Sequence, residues 1–297
     1  RWYPGGGLYR PVCLTLSADE HISDWGTFIR TTKVKGEGRK AVLTISSHIE
    51  GLEHCRALAS VEYALFDADG HCVARSEEAL DAIGNCATEL TLAKARLWSP
   101  ETPYLYTLRT RLTVDGRTVD ETANKVGVRT ILVDGKGFHL NGKLRKFQGV
   151  CLHHDLGPLG AAVNRAALIR QIRILKDMGC DAIRTAHNMP STMQMEVCDS
   201  MGMMVMAESF DMWLYPKCKN GYALHFRDWA ERDMTNLILC HRNHPSIVMW
   251  SIGNEIPEQW SVQGRQLSRW LQNICHRLDP TRPVTQGMDK AEASLQS

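Results

Sequence analysis

The hydrophobic pattern of this chain changes its period once, near Arg129. Before that residue, short segments alternate apolar with polar side chains and are separated by turn signals such as Asp69-Gly70 and Asp115-Gly116. A period of two indicates half-buried strands. After Arg129, apolar strands alternate with segments of helical period, which is typical of a parallel sheet covered by helices. At 297 residues, the chain is long enough for two such domains.

The first domain is predicted over residues 17–129 as a β-sandwich. Short alternating runs with turns over about a hundred residues fit an immunoglobulin-like fold, and the absence of a His, Asp and Glu cluster favours a structural role. Residues 1–16 run from a glycine-rich turn into an alternating stretch, which predicts the last strand of a preceding domain. The sandwich runs are TFIRTTKV, AVLTISSHI, SVEYALFDADGHCVA, ATELTLAKARLW and YLYTLRTRLTVDGRTVDETANKVGV.

Residues 130–297 are predicted to form a small hairpin and then five parallel strands joined by helices. The pattern fits either an open doubly wound sheet or the first part of a (β/α)8 barrel. Residues suited to cap or stop the first two helices stand at the expected ends: Asn164, Gly179, Ser191, Gln194 and Gly202. The apolar face of the first helix is predicted to carry Leu168, Ile172, Leu175 and Met178.

Polar side chains collect where each predicted strand ends. In a parallel barrel these ends open on one face, where active sites are built. A single histidine beside a strand more often has a structural role, but polar groups at four consecutive strand ends favour a functional rim. No glycine fingerprint of a nucleotide-binding loop follows any strand. The rim residues are, in strand order, His153, His154 and Asp155; Arg184, His187 and Asn188; Glu208 and Asp211; Asn254 and Glu255.

Such a rim suits the hydrolysis of a bond between sugars. A glycosidic oxygen needs a carboxylic acid to protonate it, a second carboxylate to attack or to activate water, and neutral groups that hold the ring hydroxyls. Glu255 is the natural acid, with Asn254 beside it to bind a hydroxyl next to the reacting carbon. Tryptophans could offer a flat face for the sugar, although core packing is the better interpretation for Trp250. The tryptophans considered are Trp213, Trp250 and Trp260.

Composition argues against several partner classes. A net charge of +2 gives no electrostatic footprint for nucleic acid. The apolar runs are too short to span a bilayer, and no signal segment opens the chain. The ten cysteines show no CxxC pair or metal-ligand spacing, which favours free thiols over disulfides. We therefore expect neither nucleic-acid nor membrane partners, and the cytoplasm is favoured while the location stays open.

Five motifs resemble those of glycoside hydrolase family 2, the group of β-galactosidases, β-glucuronidases and β-mannosidases. They follow in order along essentially the whole chain: RWYPGGGLYR, KGFHLNGKLRKFQGVCLHHD, RTAHNMPS, ESFDMW and RNHPSIVMWSIGNE. The resemblance implies the end of a jelly-roll sugar-binding domain over residues 1–16, an immunoglobulin-like sandwich over 17–129, and a retaining (β/α)8 barrel from residue 130. The first and fourth motifs are most similar to the β-galactosidase branch, so a β-galactoside is the first choice of substrate.

The resemblance also implies roles for single residues. These are Glu255 as general acid/base, Asn254 as partner of the sugar 2-hydroxyl, His154 and His187 as binders of sugar hydroxyls, and Arg184 and Glu208 as support of the site. Asp211 and Trp213 complete the predicted substrate-binding set. Family members often have Asn-Arg-His where this chain has Cys151-Leu152-His153-His154, so His153 takes the position of the arginine.

The family's nucleophile is a Glu near the end of the seventh barrel strand, and no residue of this chain takes that position. The two Glu residues after the acid are Glu258 and Glu292, and neither follows a suitable strand. We therefore expect an inactive internal fragment of a larger enzyme, in which Asp211 and Glu208 would be tested first as nucleophiles if activity were found. A non-catalytic carbohydrate-binding or scaffolding protein remains the alternative.

The resemblance requires no cofactor. It is compatible with a bound Mg²⁺ or Na⁺ in the complete enzyme, and the sequence does not identify the residues that would bind such an ion. The expected partner is a carbohydrate, and a homo-oligomer of the complete enzyme stays open. Within the family, β-glucuronidase and β-mannosidase remain alternatives to β-galactosidase.

Overall fold

A computed structural model describes residues 8–52 and 58–289 of the chain. Contacts divide the chain into two compact units. The sandwich unit comprises residues 12–145 and 243–245, and the barrel unit comprises the described residues before 12, residues 146–242 and those from 246 onward. Most of the RWYPGGGLYR motif, Cys55 and Glu292 lie outside the described residues.

Two antiparallel sheets form the sandwich unit. The first consists of β1, β2, β3 and β6, in which the other three strands all pair with β3, and the second has the order β5-β4-β7-β8. The predicted runs are therefore strands of an immunoglobulin-like sandwich. In chain order the strands are β1 (His21–Ile22), β2 (Phe28–Lys35), β3 (Lys40–Glu50), β4 (Ala59–Phe66), β5 (Cys72–Ala79), β6 (Asn85–Ala93), β7 (Tyr106–Val114) and β8 (Arg117–Val126).

Strand β3 illustrates why a period of two predicts this arrangement. Every second side chain is buried, while those between them are partly or fully exposed. The buried ones pack with side chains from the opposite sheet, and full burial of one Leu or Ile side chain stabilises the fold by about 1.5 to 3 kcal/mol. A slip by one residue would expose the whole set, so the register is fixed. The buried set of β3 is Ala41, Leu43, Ile45, Ser47 and Ile49.

The strand predicted between Leu8 and Leu16 does not form. Within the described part of the chain this stretch has no strand partner, and its apolar side chains are exposed. A strand needs a neighbour for its backbone hydrogen bonds, and none is present here. The described residues 8–16 thus form no strand in this chain, and their assignment to the end of a preceding domain stays a prediction.

The predicted hairpin after Arg129 is a three-stranded antiparallel sheet. Its strands are β9 (Ile131–Asp134), β10 (Gly137–Leu140) and β11 (Lys143–Arg145), with β10 in the middle. Contacts group this sheet with the sandwich unit, whereas the sequence pattern groups it with the following domain.

The barrel unit is built on a parallel sheet in which strand order equals chain order. One helix follows each of the first four strands, and this regular winding is the pattern of a (β/α)8 barrel; a doubly wound sheet reverses its order at a switch point. The barrel prediction is confirmed. The strands are β12 (Gly149–Leu152), β13 (Ala182–Thr185), β14 (Met204–Glu208), β15 (Ile247–Asn254) and β16 (Val284–Gly287), and the helices are α1 (Arg165–Asp177), α2 (Thr192–Met201), α3 (Phe226–His241) and α4 (Val262–Leu278).

Local signals set the helix boundaries. The side chains of Asn164 and Ser191 each accept a hydrogen bond from the backbone N–H three residues further on, at 3.0 and 3.2 Å, and such caps stabilise a helix by about 1 kcal/mol. Gly202 ends α2 with φ +71°, a conformation that a Cβ disfavours. Met178 was predicted on the apolar face of α1, but it follows the last helical residue and is exposed.

The strands of the barrel unit are apolar because helices cover them. Trp250 in β15 is fully buried, and its indole N–H donates to Asp279 Oδ2 at 2.9 Å. This residue therefore packs in the core, as its place inside a strand predicts. None of the helices in the described ranges is both long and apolar enough to cross a membrane.

Candidate active site

The carboxyl ends of β13, β14 and β15 bring charged and amide side chains together at one edge of the parallel sheet, beside Gly287 at the end of β16. Glu208, the last residue of β14, is fully buried. Arg184 in β13 reaches it from the neighbouring strand, and Asn254 ends β15. The prediction that these strand ends share one rim therefore agrees with the geometry of the sheet, whose strands are all parallel.

Four hydrogen bonds hold the carboxylate of Glu208. Its Oε1 accepts from Arg184 Nε at 3.0 Å, from Arg184 Nη2 at 2.7 Å and from Ser251 Oγ at 2.6 Å. Its Oε2 lies 2.6 Å from His187 Nδ1. A buried charge is tolerated only when such partners replace its water. Both oxygens are engaged, so Glu208 acts as an anchor for the side chains around it.

Arg184 links that anchor to Asn254. Its Nη2 donates to Asn254 Oδ1 at 2.7 Å, as well as to Glu208. Burial lowers the pKa of Arg184, but the charge of Glu208 and the hydrogen bond to it outweigh burial, so the pKa lies above its ordinary value. Gly287, the last residue of β16, makes room for this contact, because a Cβ there would lie 2.6 Å from Arg184 Nη2.

The side-chain amide of Asn254 is fixed at both of its atoms. Its Oδ1 accepts from Arg184, and its Nδ2 donates to Asp211 Oδ1 at 3.1 Å. Burial raises the pKa of Asp211, but hydrogen bonds from Lys217 and Asn254 outweigh it, so the pKa lies below its ordinary value. An amide held in this way keeps one orientation, which suits a group that must direct a second N–H at a ligand.

Glu255 differs from the other strand-end carboxylates in being exposed. Its backbone N–H donates to Gly287 O at 2.7 Å. Its φ is +45°, a left-handed conformation that is uncommon for a residue with a Cβ. A ligand can therefore reach this carboxylate, whereas Glu208 is enclosed.

Glu258 is a buried carboxylate that the sequence did not identify as part of the site. Its Oε1 accepts from the backbone N–H groups of Leu214 and Tyr215, at 2.8 and 3.2 Å. The loop after β14 is thereby tied to the loop after β15. A Glu three residues after Glu255 is a weak signal for such a role, because nothing in the sequence shows which way its side chain points.

Two histidines at the end of β12 have different surroundings. His154 Nε2 lies 2.8 Å from Arg10 Nη2. The same nitrogen lies 3.3 Å from the backbone carbonyl oxygen of Met189, which Arg10 also contacts. His153 packs edge-to-face on His187, with ring centroids 5.0 Å apart. Burial, followed by the nearby charges of His187 and Arg184, lowers the pKa of His153.

Arg10 is a site residue that the sequence reading missed. Besides His154, it donates to the backbone carbonyl of Met189 at 2.8 Å. It therefore joins the segment before the sandwich to the loops after β12 and β13, all within the barrel unit. Arg10 ends the RWYPGGGLYR motif, but no periodicity distinguishes this arginine from a surface one.

Trp213 does not offer a face to a sugar, so this part of the site prediction was wrong. Its side chain is fully buried, and its indole N–H donates to Ile252 O at 2.9 Å. The ring packs against Phe226 instead, with centroids 6.3 Å apart. Trp260, in the loop after β15, is 52% exposed.

The rim carboxylates do not assemble a cation site in the described residues. Glu208 is held by Arg184 and His187, and Asp211 by Lys217. The donor set therefore does not suit Mg²⁺, which prefers free carboxylates and water. Ligand atoms of three candidate groups do lie within 4.8 Å of one another in the turn between β4 and β5, on the sandwich unit: Asp67, Asp69 and His71.

Comparisons with known proteins cover nearly the whole chain. The family model described as glycosyl hydrolases family 2 matches residues 20–129, and that of the family 2 TIM barrel domain matches residues 131–297. The β-galactosidase BoGH2A of Bacteroides ovatus is 39% identical over 326 aligned positions, which cover 98% of this chain and 38% of that protein. A β-glucuronidase of Paenibacillus borealis is 32% identical over 292 positions, covering 94% of this chain and 45% of that protein.

A solved structure of a glycosyl hydrolase family 2 member from Bacteroides cellulosilyticus has the same fold. It superposes with a TM-score of 0.93 at 36% identity, covering 99% of this chain and 40% of that one. The chain therefore spans less than half the length of the relatives that it matches.

Proposed function

Because this chain belongs to glycosyl hydrolase family 2, we propose that the protein containing it hydrolyses terminal β-glycosides with retention of configuration. Glu255 is the proposed general acid/base. The observation that carries the proposal is the pairing of an exposed Glu255 with Asn254, whose amide is fixed by Arg184 and Asp211. A proton donor and an oriented hydrogen-bonding group stand side by side at the end of one rigid strand.

In the proposed reaction, Glu255 protonates the leaving oxygen and later removes a proton from the attacking water. Asn254 directs its second N–H at the sugar 2-hydroxyl. His154 and His187 contact other hydroxyls, supported by Arg10 and Glu208. Since the partners of these side chains are already in place, little reorganisation is needed when charge develops in the transition state.

The nucleophile is proposed to come from residues outside this sequence. Retaining hydrolysis needs two carboxylates about 5 to 5.5 Å apart. Glu208 is enclosed by four hydrogen bonds, Asp211 is paired with Lys217, and Glu258 holds two backbone N–H groups. None of the three is thus suited to attack a sugar, and on this proposal the chain by itself hydrolyses no glycoside.

A β-galactoside is the proposed substrate. The identity to the Bacteroides ovatus β-galactosidase, at 39%, exceeds that to the Paenibacillus borealis β-glucuronidase, at 32%. β-Glucuronides and β-mannosides are the alternative substrates within the same chemistry. The three differ in the sugar groups that the site must bind, and the acid/base pair serves all of them.

The proposed domain division assigns residues 1–16 to the end of a jelly-roll domain, 17–129 to the sandwich and 130–297 to the catalytic barrel. The spans of the two family models, 20–129 and 131–297, support the boundary near residue 130. Contact grouping favours a boundary after Arg145, because β9–β11 group with the sandwich unit.

The test uses the complete gene product with aryl β-galactoside, β-glucuronide and β-mannoside substrates. Glu255→Gln is isosteric, so it should retain the fold and slow hydrolysis most for poor leaving groups, which need protonation. Azide should partly restore turnover by attacking the covalent intermediate in place of activated water. An equal loss for activated aryl glycosides and natural disaccharides would show that Glu255 is not the proton donor.

The alternative is a non-catalytic carbohydrate-binding or scaffolding protein. It predicts saturable binding of galactosides by calorimetry with no turnover of any aryl glycoside by the complete gene product. A Glu at a later strand end in the flanking sequence favours the enzyme.

A further inference from the structure

We infer that Lys217 is a positioning residue that holds the peptide bond between Asn254 and Glu255 and so fixes the direction of the Glu255 carboxylate. This inference rests on the proposed function, in which Glu255 is the acid/base. Lys217 lies in the loop after β14, and no pattern in the sequence singles it out.

Two hydrogen bonds hold the Asn254–Glu255 peptide from opposite sides. Lys217 Nζ donates to the carbonyl oxygen of Asn254 at 2.7 Å. The N–H of Glu255 donates to Gly287 O at 2.7 Å. One partner comes from the loop after β14 and the other from the end of β16, so the peptide plane cannot rotate without breaking a bond to a separate element.

The conformation of Glu255 explains why such a clamp is needed. A φ of +45° brings the Cβ of a non-glycine residue close to a backbone carbonyl. Such a conformation persists only where surrounding contacts over-determine it. Without the bond to Lys217, a rotation of this peptide relieves the strain and swings the Glu255 side chain away from its position.

Lys217 is itself held in place. Its Nζ also donates to Asp211 Oδ1 at 3.0 Å, and the same oxygen accepts from Asn254 Nδ2. The ammonium group thus binds the backbone of Asn254, and through Asp211 it contacts the side chain of the same residue. Its side chain is 24% exposed.

The loop that carries Lys217 does not depend on this residue for its position. Glu258, which is buried, accepts from the backbone N–H groups of Leu214 and Tyr215 in the same loop. A change of Lys217 therefore removes the clamp while the loop remains anchored. This separation makes a variant at Lys217 interpretable.

The experiment compares Lys217→Met, Lys217→Arg and the control Lys219→Met in the complete gene product. Met keeps most of the length of the stem and removes the ammonium, while Arg keeps the charge and the donors. Lys219 is an exposed lysine of the same loop. Crystal structures of the variants report φ of Glu255, and aryl glycosides with good and poor leaving groups report kcat and KM.

We expect Lys217→Met to move φ of Glu255 out of the left-handed region. It should lower kcat for poor leaving groups by roughly 10- to 100-fold, the range for a small displacement of a catalytic group. KM and the melting temperature should stay near those of the control. Good leaving groups, which need little protonation, should lose less, and Lys217→Arg should recover part of the rate.

An unchanged φ of Glu255 in Lys217→Met would overturn the inference, and so would a loss of kcat that is equal for all leaving groups. If the unmodified gene product turns over no glycoside, the proposed function fails. The crystal structures still decide whether Lys217 sets the conformation of residue 255.

Discussion

A Glu208→Gln exchange removes one negative charge from the interior of the barrel unit without changing the side-chain shape. Glu208 is fully buried and accepts hydrogen bonds from Arg184, Ser251 and His187. An amide has one acceptor oxygen and two N–H donors, so it cannot serve donors on both sides. The charge of Arg184 is left without its carboxylate.

The geometry sets the expected magnitudes. Breaking a buried ion pair costs about 3 to 5 kcal/mol, and Arg184, with a side chain 20% exposed, keeps Asn254 as a partner, which puts the loss near the lower limit. Ser251→Ala removes one bond to the charge, which costs about 1.5 kcal/mol. Glu231→Gln, which breaks an exposed pair with Arg277, should cost about 0.5 kcal/mol or less.

Native-state hydrogen exchange of the complete gene product measures these losses of stability in the strands that carry the substituted residues. Peptides from β13 and β14 should report a fall in opening free energy of about 3 kcal/mol for Glu208→Gln. The double variant Glu208→Gln/Arg184→Met should lose less opening free energy than the sum of the losses of the two single variants, because the two residues are in contact. A loss below about 1 kcal/mol for Glu208→Gln would refute a buried, charged anchor.

Three other substitutions test separate parts of the barrel unit. His154→Ala and His187→Ala should each lower kcat/KM in steady-state kinetics, by a factor that corresponds to a loss of about 2 to 4 kcal/mol of transition-state stabilisation. A lower melting temperature with unchanged activity per folded molecule would instead show that the two histidines have a structural role. Burial raises the pKa of Asp279, but the charge of Arg282 together with hydrogen bonds from Thr281 and Arg282 outweighs it, and the pKa lies below its ordinary value. Its stabilisation is thus complete above about pH 4 and lost as pH falls below it, so the difference in urea midpoint between the native protein and Asp279→Asn should shrink from pH 5 to pH 3.

The sequence predicted those features that depend on neighbours along the chain. The change from a period of two to strand and helix alternation gave the sandwich and the barrel, because burial on one face or both leaves a pattern in consecutive residues. Asn164 and Ser191 cap their helices as expected, since a cap is decided within four residues. No strand forms between Leu8 and Leu16 in this chain, because alternation indicates only that a strand can form, whereas pairing requires a partner.

Residues whose roles depend on loops folding back could not be predicted. Trp213 follows a strand end and was expected at the rim, but its loop turns the ring into the core against Phe226. Glu258 and Lys217 reach their partners across two loops whose paths no periodicity describes. Loop paths are set by tertiary contacts of single side chains, so a local pattern carries little information about them.

The pairing of charges at the rim explains how neighbouring strands can end in so many polar groups without destabilising the barrel unit. Glu208 is neutralised by Arg184, and Asp211 by Lys217, while the amide of Asn254 bridges the two pairs. Each group forms hydrogen bonds with a neighbouring group, so these bonds offset the cost of desolvation before a ligand binds. Glu255 alone among these carboxylates is exposed, and its peptide is clamped at both ends. A fixed backbone with an accessible carboxylate is the arrangement that the proton transfer proposed for Glu255 requires.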